Sequence, residues 1–208
     1  IAFIVGATYG LASVNILYLS AGHATKVRAI SVLPGVLGGV VAAFRGRRAL
    51  GAGVFALFLS IHLFANHLQM TYYLLFLIGF VGVSEFIFLS YKLDVKQAFK
   101  TSLILLAAGF FAILPQSAEL ALTKNYSHHT TRGEAILTND SGAQDGLDSG
   151  LSKDYIFEYS MARGEWLSMM IPNIKGGADP LYWGEQRFSG GAFYFGAIAF
   201  ALMLAFFF

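Results

Sequence analysis

The sequence predicts an all-α, polytopic membrane bundle of about six segments, with one large extracytoplasmic loop carrying an amphipathic helix. Three observations predict it. The 208 residues are 56% hydrophobic and 12% charged, against roughly 25% charged in an ordinary soluble domain. Apolar runs near membrane-spanning length recur along the chain, separated by short polar clusters. A single long polar stretch, residues 123–190, precedes a last apolar run. A net charge of only +2 supplies no basic surface for nucleic acid, so the few charges matter by position. The absence of cysteine excludes a disulfide framework, a thiol nucleophile and a zinc–thiolate site.

The chain divides into transmembrane helices one to five over residues 1–122, the loop region over 123–190 and helix six over 191–208. It opens at Ile1 inside an apolar run and closes on Phe206-Phe207-Phe208, which suggests an internal segment of a longer protein. Ile1 to Ser20 has a spanning length. The polar loop from Ala21 to Arg28 holds His23, Lys26 and Arg28. The next run, Ala29 to Phe44, contains Pro34 and the pair Gly38-Gly39, and at about 24 Å as a helix it is short for a span. Arg45, Arg47 and Arg48 follow within four residues. At mid-bilayer each would cost at least ~2.5 kcal/mol, so they belong at an aqueous face.

Helices three (Ala49 to Phe64) and four (Met70 to Tyr91) flank Ala65-Asn66-His67-Leu68-Gln69. One continuous helix across both would reach roughly 60 Å, twice the hydrocarbon thickness of about 30 Å. The chain must therefore turn near Asn66. A loop from Lys92 to Lys100 leads to helix five, Thr101 to about Leu122.

Positive charge in short loops marks the cytoplasmic side. The arginine triplet and Lys92, Lys96 and Lys100 are two crossings apart and share that face, which gathers His23, Lys26, Arg28, Asn66, His67, Gln69 and the large loop on the outer surface. Lys26 and Arg28 are then on the disfavoured side. They are either scatter in a rule about totals or cations facing an anion such as a lipid-linked phosphate.

Within the loop, Thr138 to Gly150 has almost nothing to bury, and its acids miss the calcium-loop spacing. Ser152 can cap an amphipathic helix through Tyr155, Tyr159, Ala162, Trp166 and Met169 or Met170, ended by Pro172. That face suits either the headgroup layer or packing on the bundle. Tyr126 to Glu134, with Arg132, and Ile171 to Gly177, with Asn173, combine with Tyr182-Trp183-Gly184-Glu185-Gln186 in a density of rings, amides and charges that would suit sugar. Among membrane-embedded polar residues, Glu85 most simply reaches water or a lysine near the inner end. Gln116 and Glu119 share a face that either points into a cavity or packs, and His62 and Tyr72 read as interhelical glue.

The blocks Ala21-Gly22-His23-Ala24-Thr25-Lys26-Val27, Ala65 to Tyr73, Thr131-Arg132-Gly133, Gly164-Glu165, Ile171-Pro172-Asn173 and Tyr182 to Gln186 together resemble the YfhO family of bacterial membrane proteins, in its Bacteroidetes form. That family is similar to the GT-C glycosyltransferases, which use polyprenyl-phosphate sugar donors at the outer face of the cytoplasmic membrane. The resemblance implies such a transferase in a bacterial inner membrane, with a catalytic carboxylate expected in an outer loop upstream of Ile1. Lys26, Arg28 and Arg132 are the candidate phosphate ligands. His23, Asn66, His67, Gln69, Tyr72, Glu165, Asn173, Tyr182 and Trp183 are the candidate pocket residues, and Glu119 and Glu134 the local candidates for a base. A divalent metal is left open as a cofactor, with no metal ligands assigned. The expected partners are membrane lipid, the sugar donor and a glycan acceptor. A non-enzymatic membrane subunit docking a partner through its outer loop is the alternative. A transporter would show inverted repeats, and the sequence contains no internal repeat.

Overall fold

The computed structural model describes residues 2–92, 94–127, 129–130, 157, 160–161, 163–177, 180–185, 194 and 196–207. It is all-helical among the described residues. Two compact units divide the chain, one of residues 23–125 and one of residues 1–22 with 126–208.

The first unit is a bundle of α3 (Ala24–Ser31), α4 (Leu33–Phe44), α5 (Arg48–Phe64), α6 (Leu68–Lys92) and α7 (Val95–Ile113), with a 3-10 turn (Leu114–Gln116) leading into α8 (Ser117–Ser127). Among the described residues, three helical runs are long and apolar enough to cross a membrane: Ala24–Phe44, Leu68–Lys92 and Val95–Ser127. Arg48–Phe64 is apolar but shorter. Large apolar side chains such as Leu57, Phe80, Leu103 and Phe111 are exposed on the outside, as expected where the surrounding medium is lipid.

Several boundaries differ from those the sequence predicts. Residues 24–28, expected in a polar loop, form the first turns of α3, so Lys26 and Arg28 are helical. The helix is interrupted at Val32, between α3 and α4, because Pro34 has no amide hydrogen and its ring crowds the carbonyl of Ile30. At the other end of the bundle, most of the expected loop 92–100 forms the first turns of α7. Asp94 in extended conformation accepts from the Lys96 amide at 2.9 Å and starts the helix early. Pro115 lies in the 3-10 turn that links α7 to α8. Asn66, at φ 47°, makes the expected break between α5 and α6. A short amide side chain tolerates this left-handed conformation better than most.

The unit is built on a close crossing of α4 and α5. A Cβ on Gly39 would lie 2.5 Å from the Phe55 amide nitrogen, and one on Gly51 would collide with the Ala43 backbone. Small residues at the crossing let the two backbones touch, which in lipid provides association that hydrophobicity does not. Val36, Val40, Phe44, Phe55, Leu59 and Leu63 extend this seam, and Leu74, Leu89 and Leu105 close it from α6 and α7.

Two of the three arginines tie the bundle at one end. Arg45 makes a two-pronged bond to Glu85, at 2.7 and 2.8 Å, and Arg48 donates to Gln97 Oε1 at 2.6 Å and Thr101 Oγ1 at 3.0 Å. The partner of Glu85 is thus an arginine that follows α4, where water or a lysine was expected. The fork geometry of guanidinium matches a carboxylate. Glu85→Gln is expected to lower the melting temperature in detergent, and the exchanged pair Arg45→Glu with Glu85→Arg to recover part of the loss. A double-mutant cycle showing no coupling would refute the link.

In the second unit, the run expected to be one span is two helices, α1 (Ala2–Gly10) and α2 (Ser13–Ser20). Ala12 is extended, so the Tyr9 carbonyl loses the Ser13 amide it would meet in a helix and accepts from the buried Asn15 side chain at 2.9 Å. The Ser13 hydroxyl in turn bonds both backbone groups of Tyr194. The expected amphipathic helix differs where it is described. Gly164 is left-handed, at φ 80°, and Glu165–Met169 is a short 3-10 turn. Tyr155, Tyr159 and Ala162 lie outside the described residues. A last apolar helix, α9 (Ala197–Phe207), ends the unit.

Candidate functional site

The polar end of the bundle opposite the arginines is assembled from the α5–α6 turn, the start of α3 and the α8 helix. Asn66 is exposed, and its left-handed backbone aims the amide toward α8. There Nδ2 donates to Glu119 Oε1 and to Thr123 Oγ1, both at 3.2 Å. Glu119 and Thr123 are four apart and so share one helix face. The amide thus holds one carboxylate oxygen of the candidate base.

His67 follows directly and is half-buried at the start of α6. Its Nδ1 accepts from the Met70 amide at 3.4 Å, which leaves the proton of a neutral ring on Nε2. Burial lowers its pKa below the ordinary 6.5, and electrostatic repulsion from Lys26 and His23 lowers it further. His23 is the residue before α3, and Lys26 lies in the first turn of that helix.

Beneath this cluster His62 is fully buried. Its Nδ1 lies 3.0 Å from the Ala29 carbonyl and its Nε2 3.1 Å from the Thr71 hydroxyl. A carbonyl only accepts, so Nδ1 carries the proton and, in the neutral ring, Nε2 accepts from Thr71. One ring thereby joins α3, α5 and α6, which makes His62 the interhelical tie the sequence suggested.

Other candidates fall elsewhere. Arg28 is exposed and lies two residues from Lys26, roughly 200° around the helix, so it leaves the face that carries Lys26. Gln69 donates to the Tyr73 hydroxyl at 3.1 Å. Tyr72 is exposed and packs edge-on against Phe76 at 4.9 Å, beside a separate apolar recess of about 400 Å³. Arg132 and Glu134 lie outside the described residues.

Glu165, Asn173, Tyr182 and Trp183 belong to the second unit. The buried Glu165 carboxylate accepts from the Tyr182 hydroxyl and from the Glu185 amide, so the Tyr182 hydroxyl is engaged in holding the loop. Asn173 is left-handed, at φ 58°, and its carbonyl accepts from the Gly176 amide at 2.8 Å, as in a tight turn. Trp183 is exposed, with the Lys175 ammonium 4.3 Å from its ring centre, a cation–π contact. Among the described residues no three metal-ligating side chains gather to hold an ion.

Thr71 and Thr123 are polar partners that the sequence does not single out. Their signal is present as i,i+4 spacing to His67 and Glu119, but threonine is too common in apolar helices for that spacing to stand out.

The lowered pKa makes a prediction of definite sign. The folded state favours neutral His67, so its contribution to stability is present above pH 6.5 and is lost as pH falls through the folded value. In histidine-labelled protein, with assignment by His67→Gln, the His67 resonance is expected to titrate below 6.5. Lys26→Gln should raise that midpoint without fully restoring it, because burial is the larger cause. A midpoint at or above 6.5 in the native protein would contradict the assignment.

Comparison of the chain with protein-family models, with curated proteins and with solved structures returns no match.

Proposed function

We propose that this chain is part of a membrane-embedded glycosyltransferase of the GT-C kind, transferring sugar from a polyprenyl-phosphate donor. The observation that carries the reading is the Asn66–Glu119 link at the bundle end away from the arginines, beside His67, whose pKa Lys26 and His23 help to lower. In this reading the chain crosses a bacterial inner membrane in six segments, the arginine end is cytoplasmic, and residues 123–190 are extracytoplasmic.

The chemistry asks for cationic stabilisation and a base. As the acceptor hydroxyl forms its bond to the anomeric carbon, the bond from that carbon to the donor phosphate breaks, and negative charge grows on the departing polyprenyl phosphate. Lys26 supplies a fixed positive charge there, and the His67 Nε2–H a donor. Glu119, held by Asn66, is the local group able to take the hydroxyl proton. Arg132 and Glu134 remain candidates for the same two roles.

Membrane vesicles carrying the full protein and a radiolabelled polyprenyl-phosphate sugar test the proposal. Lys26→Gln is expected to reduce transfer roughly 100-fold, the scale of losing one stabilising donor, and Glu119→Gln to do so at unchanged membrane abundance. Full transfer by both variants would remove the site and favour a non-enzymatic subunit.

A further inference from the structure

Between α4, α5, α6 and α7 lies a crevice of about 580 Å³, walled by side chains including Phe55, Leu59, Leu106 and Phe110. Ser102 is the one polar side chain along it among the described residues, and its hydroxyl is turned to the Ala98 carbonyl of its own helix at 3.0 Å. Its donor is thus engaged, and the crevice offers a guest no free hydroxyl hydrogen among the described residues. Leu75 and Val83 on α6 and Leu106 and Phe110 on α7 are largely exposed, so its mouth opens between those two helices toward lipid.

Two glycines create the space. A Cβ on Gly82 would meet nothing within 4 Å, and one on Gly109 would make only ordinary contact with the Phe55 ring. Gly39 and Gly51 are required by touching backbones, whereas these two are not. A helical glycine costs about 1 kcal/mol relative to alanine, and what it leaves here is room on both walls.

The dimensions select the occupant. From Ser102 to Ile113 the crevice follows α7 for about 16 Å, roughly half of the 30 Å hydrocarbon core and thus one leaflet. Apolar side chains along that length, open to lipid between α6 and α7, suit an extended acyl chain. The lower end begins beside Phe44, Phe86 and Ser102, directly above the Arg45–Glu85 and Arg48–Thr101 bonds. The helix ends on that side carry Arg47, Lys92, Lys96 and Lys100 besides the two bonded arginines, against Glu85 and Asp94, so the charge there is net positive and complements an anionic headgroup.

We infer that the crevice is a site for one acyl chain of an anionic phospholipid from the leaflet on the arginine side, which bridges α6 and α7.

Native mass spectrometry of the full protein, purified in detergent with phosphatidylglycerol or phosphatidylcholine of the same acyl composition, tests this directly. Phosphatidylglycerol is expected to stay bound and to raise the melting temperature, and phosphatidylcholine to be lost. Gly82→Leu, built into open space, and Gly109→Leu should each lose the bound lipid and the thermal shift. Gly53→Leu, at an exposed glycine on α5 outside the crevice, should keep both. Equal retention of the two lipids, retention of an isoprenoid lipid in their place, or a phosphatidylglycerol adduct unchanged in Gly82→Leu and Gly109→Leu would overturn the assignment.

Discussion

Gly39→Leu is expected to abolish the folded bundle. Even the first added carbon would sit 2.5 Å from the Phe55 amide nitrogen and 2.7 Å from its Cα, and both are backbone atoms of a hydrogen-bonded helix that cannot rotate aside. The same holds in reverse for Gly51, whose added carbon would strike the backbone of Ala43 and Gly39. Ordinary overpacking costs about 1–3 kcal/mol where side chains can adjust. Here α4 and α5 would have to separate, which removes the seam from Val36 to Leu63. Gly38→Leu is the control, because nothing lies within 4 Å of its added carbon. The expected result is a monodisperse, cooperatively melting Gly38→Leu protein and an aggregated Gly39→Leu or Gly51→Leu protein. Comparable melting of all three would show that the helices do not cross as described.

His62→Ala is the second large effect. The substitution removes a fully buried ring and leaves the Ala29 carbonyl and the Thr71 hydroxyl without the partner that joined them. A large-to-small change in a packed interior costs about 2–5 kcal/mol. Interhelical hydrogen bonds in membranes average only about 0.6 kcal/mol, so most of the loss comes from packing. His62→Phe should accordingly be milder than His62→Ala, and Thr71→Val milder still. The structural readout is local. Amide hydrogen exchange in α3 should accelerate in His62→Ala, since the ring is what joins that helix to α5 and α6, while exchange in α7 changes less. An α3 protected as in the native protein would exclude the tie.

Part of the candidate site is legible in the sequence. The turn at Asn66 follows from length, because two apolar runs too long for one crossing have to fold back. The placement of Arg45, Arg48 and the lysines at the end opposite Asn66 follows from the cost of charge in hydrocarbon, and the bonds from Arg45 to α6 and from Arg48 to α7 agree with it. The α3 helix is not legible. Polar residues between apolar runs look like a loop, yet Lys26 and Arg28 are good helix formers and nothing before Pro34 stops the helix they begin. The break at Ala12 is also hidden, since Gly10, Leu11 and Ala12 read as uniformly apolar. Only the bonds from Asn15 to Tyr9 and from Ser13 to Tyr194 reveal what the interruption satisfies.

By itself the sequence determined that these are apolar helices of membrane scale, where two of them turn, and which end carries the arginines. Those properties add up residue by residue from hydropathy, helix rise and charge. The tertiary structure alone decided that the Asn66 amide holds Glu119, that Arg45 takes Glu85, and that Gly39 closes a contact while Gly82 opens a space. Each of these depends on how far a helix is rotated about its axis and where it crosses its neighbour. Spacing along one chain does not contain that angle, because it is set by side chains arriving from the other helices.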